Sequence, residues 1–291
     1  MKLVTYQLDN KSYLGAVREQ EIVDLTAVAP DMLSLIEGGP EVWARASDYA
    51  ATAVSVLPLA GASLLAPIPV PRRNIMCLGL NYVEHAQESY TARGQETKIP
   101  DFPIVFTKAT TAVTGPGAAI PYNPAVSDKI DWEAEMGVII GRSGKNLSPD
   151  EAMAHVFGYT IINDVSARDL QVQHKQYFKG KSLDGSCPMG PWIITADELP
   201  DPHGLNISSR VNGVTKQSSN TSLMIFNVPA ILYHLSRGMT LLPGDIIATG
   251  TPSGVGFARN PPEFLSPGDV VECEVEGVGV LRNILIQELN A

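Results

Sequence analysis

The chain has 291 residues, 44% of them hydrophobic and 18% charged, with a formal net charge of −10. This composition is typical of a soluble globular protein built from one large domain, or from one large and one small domain. A chain this acidic, with no basic stripe, is not expected to bind nucleic acid or an anionic membrane. An anionic substrate is not excluded, because a bound metal ion can reverse the local field.

The cysteines indicate the compartment. There are 3 of them, far apart and without a Cys-x-x-Cys pair, which is typical of reduced thiols in an intracellular protein. No signal peptide is visible, because the first residues run directly into strand-like sequence. The sequence therefore predicts a cytoplasmic location.

The first 65 residues predict a small α+β domain. Strands are expected over residues 2–8, 13–17 and 21–25. A helix is expected over residues 41–56, and Pro58 ends it.

The uncharged segment 51–70 has the length of a membrane span, but its prolines and Gly61 favour a linker. The stiff run Ala66-Pro67-Ile68-Pro69-Val70-Pro71 marks the boundary of a second domain, residues 66–291.

The sequence of the second domain predicts many short strands, separated by Gly and Pro residues. The expected strands are residues 74–79, 104–107, 133–140, 158–163, 190–195 and 245–249. Helices are expected over residues 82–90, 149–156 and 228–236, and a polar loop over residues 91–101. Two hairpins follow, over residues 207–218 with a turn at Asn212-Gly213 and over residues 270–286. The absence of β-α-β alternation predicts an α+β fold that is mostly β, with the helices set apart from the sheets.

A pair of carboxylates opens the most apolar of these strands. In Asp131-Trp132-Glu133-Ala134-Glu135 the two glutamates are two positions apart, so both side chains point to the same face of a strand. At a rise of ~3.3 Å per residue their Cα atoms lie about 7 Å apart. Such a pair is either a solvated sheet face or one side of a site for a hard divalent cation, which prefers oxygen ligands.

His85 and Glu88 are three positions apart on a predicted helix and share one of its faces. They form either a surface pair or a hydrogen-bonded dyad that leaves one ring nitrogen of the histidine as a base. Asp164, at the end of an apolar strand, is either a cap for the next segment or a third ligand beside the two glutamates.

Three further segments carry groups that suit an anionic substrate. Arg168 and Gln171 are three positions apart, either on a helix surface or facing a cleft. Lys181 lies in a Gly/Ser segment that lacks the glycine spacing of a nucleotide-binding loop, so its charge would instead serve an oxyanion. Gly250-Thr251 directly follows a strand, and the turn there is either a tight structural turn or one that exposes backbone N–H groups and a hydroxyl to a ligand carboxylate.

In their order, these segments resemble the fumarylacetoacetate hydrolase family. The matching segments are Gly79-Leu80-Asn81-Tyr82 with His85 and Glu88, Asp131-Trp132-Glu133-Ala134-Glu135, Asn163-Asp164-Val165-Ser166-Ala167-Arg168-Asp169 with Gln171, Gly180-Lys181-Ser182, Ser186-Cys187-Pro188, Gly244-Asp245 and Gly250-Thr251-Pro252-Ser253-Gly254-Val255-Gly256. They extend over roughly residues 65–288, and residues 1–65 resemble the small N-terminal domain of many bacterial members.

The resemblance implies a mixed β-sandwich roll around a Mg²⁺ or Mn²⁺ site, usually in a homodimer. The implied metal ligands are Glu133, Glu135 and Asp164. The implied catalytic residues are His85, Glu88 and Lys181, with the dyad on a lid that includes residues 91–101. The implied substrate-binding residues are Tyr82, Arg168, Gln171, Gly250 and Thr251, with Lys108 as a further pocket residue.

The implied function is hydrolysis of an acylpyruvate such as fumarylpyruvate or acetylpyruvate. His85 would activate water, and cleavage of the C–C bond would leave a metal-bound pyruvate enolate. The alternatives are decarboxylation of oxaloacetate or a related β-keto acid, and isomerisation or decarboxylation of a 2-hydroxy-dienoate in aromatic-acid catabolism. The dyad favours hydrolysis, because decarboxylation needs no water nucleophile. A non-catalytic cation-binding protein is the alternative of another class, and it would leave His85, Lys181 and Arg168 unexplained.

Overall fold

The computed structural model describes residues 1–288. In that part of the chain the strands are β1 Lys2–Leu8, β2 Lys11–Arg18, β3 Glu21–Asp24, β4 Ser55–Pro58, β5 Ser63–Leu65, β6 Ile75–Gly79, β7 Ile104–Lys108, β8 Val113–Thr114, β9 Ala119–Tyr122, β10 Ile130–Asp131, β11 Ala134–Ile140, β12 Val156–Asn163, β13 Ser166–Ala167, β14 Cys187–Thr195, β15 Asn206–Val211, β16 Val214–Asn220, β17 Ile246–Ala248, β18 Val270–Val275 and β19 Gly279–Gln287. The α-helices are α1 Met32–Glu37, α2 Gly39–Thr52, α3 Val83–Ala92, α4 Pro149–Ala152, α5 Arg168–Gln173, α6 Phe178–Lys181 and α7 Val228–Ser236.

A large sheet organises the molecule. Its strands lie in the order β4-β3-β2-β1-β14-β12-β11-β17-β6-β7, with β5 attached to β1 and β8 attached to β14. Every residue of β11 and β12 is buried, as expected for β-branched and aromatic runs that are covered on both faces of a sheet. These two central strands carry the residues of the candidate site at their ends.

A second sheet of five strands, in the order β16-β15-β18-β19-β9, packs against the first. Its first hairpin turns at Asn212-Gly213, where both residues have positive φ, 52° and 77°, as a type I′ turn requires. Apolar residues of both sheets share one core, in which Val138 and Ile161 meet Val271 and Leu281. The predicted α+β, mostly-β architecture is thus confirmed.

The N-terminal strands continue the large sheet, because Lys2 and Leu3 of β1 pair with Ile194 and Ile193 of β14. The division into domains of residues 1–65 and 66–291 stays a prediction. Residues 51–70, predicted as a linker or domain-edge segment, supply β4 at the edge of the large sheet and β5. In β4, backbone pairing of Leu57 with Ile22 of β3 ends the helix earlier than predicted.

Two helices that bear on the site also differ from expectation. The segment around Lys181 was expected as a loop but forms the short helix α6. The helix predicted over residues 149–156 is only one turn long and passes through a 3₁₀ turn, because Val156 already pairs in the sheet as part of β12. Among the described residues, no helix is long and apolar enough to cross a membrane.

Candidate active site

Three buried carboxylates lie where β11 begins and β12 ends. The two strands are antiparallel, with Ala134 opposite Asn163, so the residues just before β11 and just after β12 are neighbours. Glu133, Glu135 and Asp164 each offer an oxygen within 4.8 Å of those of the other two. The backbone fixes this approach, because the N–H of Asp164 donates to the carbonyl of Glu133 at 2.9 Å.

Two buried cations neutralise Glu133. Lys181 Nζ lies 2.6 Å from Glu133 Oε2 and 2.8 Å from Asp164 Oδ2, and Arg168 Nη2 lies 2.6 Å from Glu133 Oε1. Burial alone would raise the pKa of Glu133, but the charges of Lys181 and Arg168 lower it to about 2. Burial would likewise lower the pKa values of Lys181 and Arg168, and the surrounding carboxylates raise both above their ordinary values.

Lys108 of β7 is a third buried cation at this centre. Its Nζ donates to Asp164 Oδ1 at 2.7 Å and to the carbonyl of Val165 at 3.0 Å. It is fully buried and does not reach the cavity described below. The structure therefore places it behind Asp164, as a support of that carboxylate.

Glu135 is different, because it has no ion pair with any residue in the range 1–288. Its Oε2 accepts a hydrogen bond from the N–H of Gly250 at 2.8 Å. Burial, followed by the charges of Asp164 and Glu133, raises its pKa well above the ordinary value. A carboxylate left without its own cation beside two others is the arrangement that a divalent metal ion relieves. The all-oxygen set fits Mg²⁺ or Mn²⁺ in preference to softer metals.

The predicted dyad is formed. His85 Nδ1 lies 2.8 Å from Glu88 Oε1, and His85 is buried. Helix α3, which carries both residues, is attached to the glycine-rich segment after β17 by two contacts. Glu88 accepts a hydrogen bond from the N–H of Gly254 at 2.9 Å, and Glu84 accepts one from the Ser253 hydroxyl at 3.1 Å.

Asn81 positions the turn that leads into α3. Its side chain donates to the carbonyl oxygens of Phe226 and Thr249, and it accepts from the N–H of Phe226. Gly250 lies against this turn with φ +94°, and a Cβ there would approach the Asn81 Cβ to 2.7 Å. Glycine at this position therefore lets the chain turn so that its N–H faces Glu135.

A narrow cavity of about 30 Å³ is lined by His85 of the dyad and by Glu133 of the three carboxylates. It brings together half of the residues predicted for the site, namely His85, Glu133, Arg168, Gln171, Lys181 and Thr251. Glu88, Glu135 and Asp164 lie next to these residues but do not line the cavity. The cavity is only partly enclosed by these residues.

The structure places two of the predicted substrate-binding residues elsewhere. Tyr82 lies outside this cavity, and its buried hydroxyl has no hydrogen-bond partner within residues 1–288. Burial and the charge of Glu135 raise its pKa. The N–H of Gly250 is taken up by Glu135, so Gly250 supports a carboxylate instead of facing the cavity.

Thr251 reaches the cavity with a hydroxyl that is already hydrogen-bonded. Its Oγ1 donates to the carbonyl of Ala134 at 2.9 Å and accepts from Gln217 Nε2 at 2.7 Å. Gln217 in turn accepts from the N–H of Ala134 and from the Ser209 hydroxyl. This buried glutamine therefore ties the hairpin β15–β16 to the start of β11, a role that no local pattern in its strand indicates.

Asp131 was also missed as a member of the site. Its Oδ2 accepts from Arg168 Nε at 2.8 Å, and its Oδ1 accepts from the N–H of Gly256 at 2.6 Å. It thereby directs Arg168 towards Glu133. A signal was present in the sequence, because Asp131 stands two positions before Glu133 and four before Glu135 in the same segment.

Residues 74–286 match the fumarylacetoacetate (FAA) hydrolase C-terminal family. The chain belongs to this family, and the predicted membership is confirmed.

Three similar proteins indicate which reactions are to be considered for this chain. The chain is 41% identical to oxaloacetate tautomerase YisK of Bacillus subtilis (strain 168), over 97% of this chain and 99% of that one. A fumarylacetoacetate hydrolase from the psychrophile Exiguobacterium antarcticum is similar in structure, with a TM-score of 0.86, 40% identity and coverage of 99% and 100%. Maleylpyruvate hydrolase from Sphingobium sp. SYK-6, solved with manganese(II) and pyruvate, has a TM-score of 0.80, 29% identity and the same coverage.

These relatives bear on the predictions in different ways. They are enzymes, which supports the catalytic interpretation over a non-catalytic cation-binding protein. The manganese in the maleylpyruvate hydrolase supports a divalent-metal site. The oxaloacetate alternative is better supported than acylpyruvate hydrolysis, although the Bacillus relative is named for tautomerisation and not for the decarboxylation that this alternative predicts. The individual residue roles, the homodimer and the cytoplasmic location stay predictions.

Proposed function

We propose that this protein is a divalent-metal-dependent tautomerase that interconverts the enol and keto forms of oxaloacetate. The observation that carries the proposal is His85, which is hydrogen-bonded to Glu88 and lines a narrow cavity together with Glu133 and Lys181. The activity of the Bacillus relative, similar over nearly the whole chain, supports the same assignment.

Tautomerisation needs one group that both accepts and donates a proton. Going from enol to keto, the hydroxyl at C2 loses its proton, C3 gains one, and no bond between carbon atoms breaks. Because Glu88 holds Nδ1 of His85, Nε2 is the ring nitrogen left for this exchange. We expect His85 to take the proton from the C2 hydroxyl and to return a proton to C3, while Glu88 fixes the tautomer and orientation of the ring.

The remaining groups handle charge and orientation. A divalent cation held by Glu133, Glu135 and Asp164 would supply a Lewis acid for the oxygens of the 2-oxo acid. The ammonium of Lys181, which contacts Glu133 and Asp164, adds positive charge where the C2 oxygen becomes negative. Arg168 and Gln171, joined by a hydrogen bond of 3.2 Å, orient the substrate along the cavity wall. We propose Mg²⁺ or Mn²⁺ as the metal and a small 2-oxo acid as the partner.

Hydrolysis of an acylpyruvate is the second candidate, because the structural neighbour solved with pyruvate is a maleylpyruvate hydrolase. The same dyad would then activate water. The two functions differ in their products, since only hydrolysis and decarboxylation release pyruvate.

The test follows the enol absorbance of oxaloacetate together with pyruvate release, with Mg²⁺ or Mn²⁺ and with chelator. Fumarylpyruvate and acetylpyruvate are assayed in parallel. We expect metal-dependent loss of the enol without pyruvate, and a rate lower by roughly 10²–10⁴-fold in His85→Asn. His155→Asn, a histidine outside the cavity, is the matched control and should keep full activity.

Stoichiometric pyruvate from oxaloacetate would instead make the enzyme a decarboxylase. Faster turnover of fumarylpyruvate or acetylpyruvate would restore the hydrolase assignment. Equal rates in wild type and His85→Asn would remove the dyad from the mechanism.

A further inference from the structure

One face of helix α3 presents three polar side chains to the cavity. His85, Ser89 and Arg93 follow one another at intervals of four residues, and all three line the cavity. Residues at this spacing lie above one another on one face of a helix, about 6 Å apart along its axis. Arg93 caps the C-terminal end of α3 and lines the same cavity as Ser89 and His85.

The other cations of the cavity are already engaged. Arg168 contacts Asp131, Glu133 and Gln171 through its three nitrogens. Lys181 bridges Glu133 and Asp164. Both cations therefore already have carboxylate partners within the protein.

Arg93 is the exception among the cavity's arginine and lysine residues. Within residues 1–288 its guanidinium makes no ion pair and no hydrogen bond, and its contact is with the ring of Phe257, 5.8 Å from the centroid. Arg168 also contacts this ring, 4.5 Å from the centroid. The ring of Phe257 thus holds the Arg93 guanidinium beside the cavity, and it leaves the hydrogen-bond donors of that guanidinium unused.

Ser89 adds a neutral donor between the base and this guanidinium. It is buried, with 1% of its surface exposed. In the described part of the chain its hydroxyl forms no hydrogen bond, although the Thr91 hydroxyl on the same helix bonds back to the carbonyl of Gln87. A buried hydroxyl that lines a cavity without a protein partner is available to a ligand.

We propose that Arg93, assisted by Ser89, binds the distal carboxylate of the substrate and makes the site selective for four-carbon 2-oxo diacids over monocarboxylic analogues. The inference rests on the proposed function for the identity of the reacting end, which lies at His85 and the three carboxylates. The planar guanidinium of Arg93 can donate two parallel hydrogen bonds to a carboxylate. The Ser89 hydroxyl donates to the same carboxylate. Selectivity arises because only a substrate with this second carboxylate gains the charge-assisted hydrogen bonds from Arg93.

The test compares oxaloacetate with its 4-methyl ester, in which the distal carboxylate is neutral and the 2-oxo acid end is unchanged. We expect Arg93→Gln to raise KM for oxaloacetate about tenfold or more, with kcat nearly unchanged, because the contact exists before and during the reaction. The kinetic constants for the ester should not change. Ser89→Ala should act in the same direction with a smaller effect.

Arg142→Gln is the matched control. Arg142 is likewise exposed and stacked on an aromatic ring, with its guanidinium 5.9 Å from the centroid of Trp43, but it does not line the cavity. Its variant should keep the preference of the wild type for the diacid. Equal losses for oxaloacetate and the ester in Arg93→Gln would reduce Arg93 to a structural role, and unchanged constants for both would overturn the proposal.

A binding measurement separates this inference from the proposed function. Malate and 2-hydroxybutyrate differ only in a carboxylate against a methyl group, and neither has an enol to convert. Calorimetric titration of the Mg²⁺-loaded protein should show tighter binding of malate in the wild type and loss of that preference in Arg93→Gln. If the wild type fails to tautomerise oxaloacetate but keeps the preference, the proposed function fails and the carboxylate subsite stands. Absence of the preference in the wild type overturns the subsite.

Discussion

Replacing Glu133 with glutamine is expected to lower the free energy of unfolding of the metal-free protein by about 3 kcal/mol. The carboxylate lies 2.6 Å from Lys181 Nζ and 2.6 Å from Arg168 Nη2. These charges hold its pKa at about 2 against an ordinary value of 4.5. A displacement of that size corresponds to about 3 kcal/mol in favour of the charged form. Glutamine has nearly the same shape, but it leaves two buried cations with less negative charge around them.

Urea unfolding with chelator present measures the effect by linear extrapolation. Glu135→Gln is the matched control, because its carboxylate has no ion pair within residues 1–288 and a raised pKa. Removing that charge should leave the stability equal or higher. Both variants should bind Mn²⁺ more weakly. A Glu133→Gln protein as stable as the wild type, or an equal loss in Glu135→Gln, would refute the reasoning.

The contribution of the Glu133 carboxylate to the free energy of unfolding depends on pH. Because folding lowers the pKa of Glu133, its contribution is fully present above the unfolded value of 4.5 and is lost as pH falls towards about 2. The difference in unfolding free energy between the wild type and Glu133→Gln should therefore shrink in urea titrations at successively lower pH below 4.5. A difference that grows in this range would contradict the assigned ion pairs.

Three further predictions concern the same centre. Mn²⁺ affinity, measured by calorimetry, should fall on acidification more steeply in the wild type than in Glu135→Gln, because protons compete for a carboxyl whose pKa is raised. Tyr82→Phe should keep both stability and kcat/KM, since the hydroxyl that it removes has no partner within residues 1–288; a tenfold loss of kcat/KM would place that hydroxyl on the substrate. Asp131→Asn should raise KM while Mn²⁺ binding is retained, because Arg168 loses the partner that directs it. An equal loss of Mn²⁺ binding would mean that Asp131 acts on the carboxylates instead.

Local sequence patterns predicted the parts of the fold that depend on local physics. The apolar runs of β11 and β12, the Asn212-Gly213 turn and helix α7 lie close to where alternation, turn chemistry and capping indicated. The pairing of β1 with β14 could not be predicted in this way, since the two strands are nearly two hundred positions apart. Neither strand contains a local sequence pattern that indicates which strand it pairs with.

The residues of the site also divide into those that local sequence patterns predict and those that only the fold brings together. Residues that meet across one helical turn or one strand face, such as His85 with Glu88 and Glu133 with Glu135, were predicted from spacing. Gln217, which lies on a hairpin of the second sheet, supports the site through contacts that only the packing of the two sheets creates. Arg93 was read as part of a polar loop, because a charged residue after a helix is usually solvated and only the fold shows that the cavity opens beside it.

The dyad and the carboxylates lie on different elements but share one glycine-rich segment. Glu133, Glu135 and Asp164 are fixed by paired strands, whereas His85 and Glu88 belong to a ten-residue helix. Residues 250–256 contact both groups, because Gly250 donates to Glu135 while Ser253 and Gly254 donate to Glu84 and Glu88 of the helix. The position of the base is therefore coupled to that of a cation-binding carboxylate through one short segment.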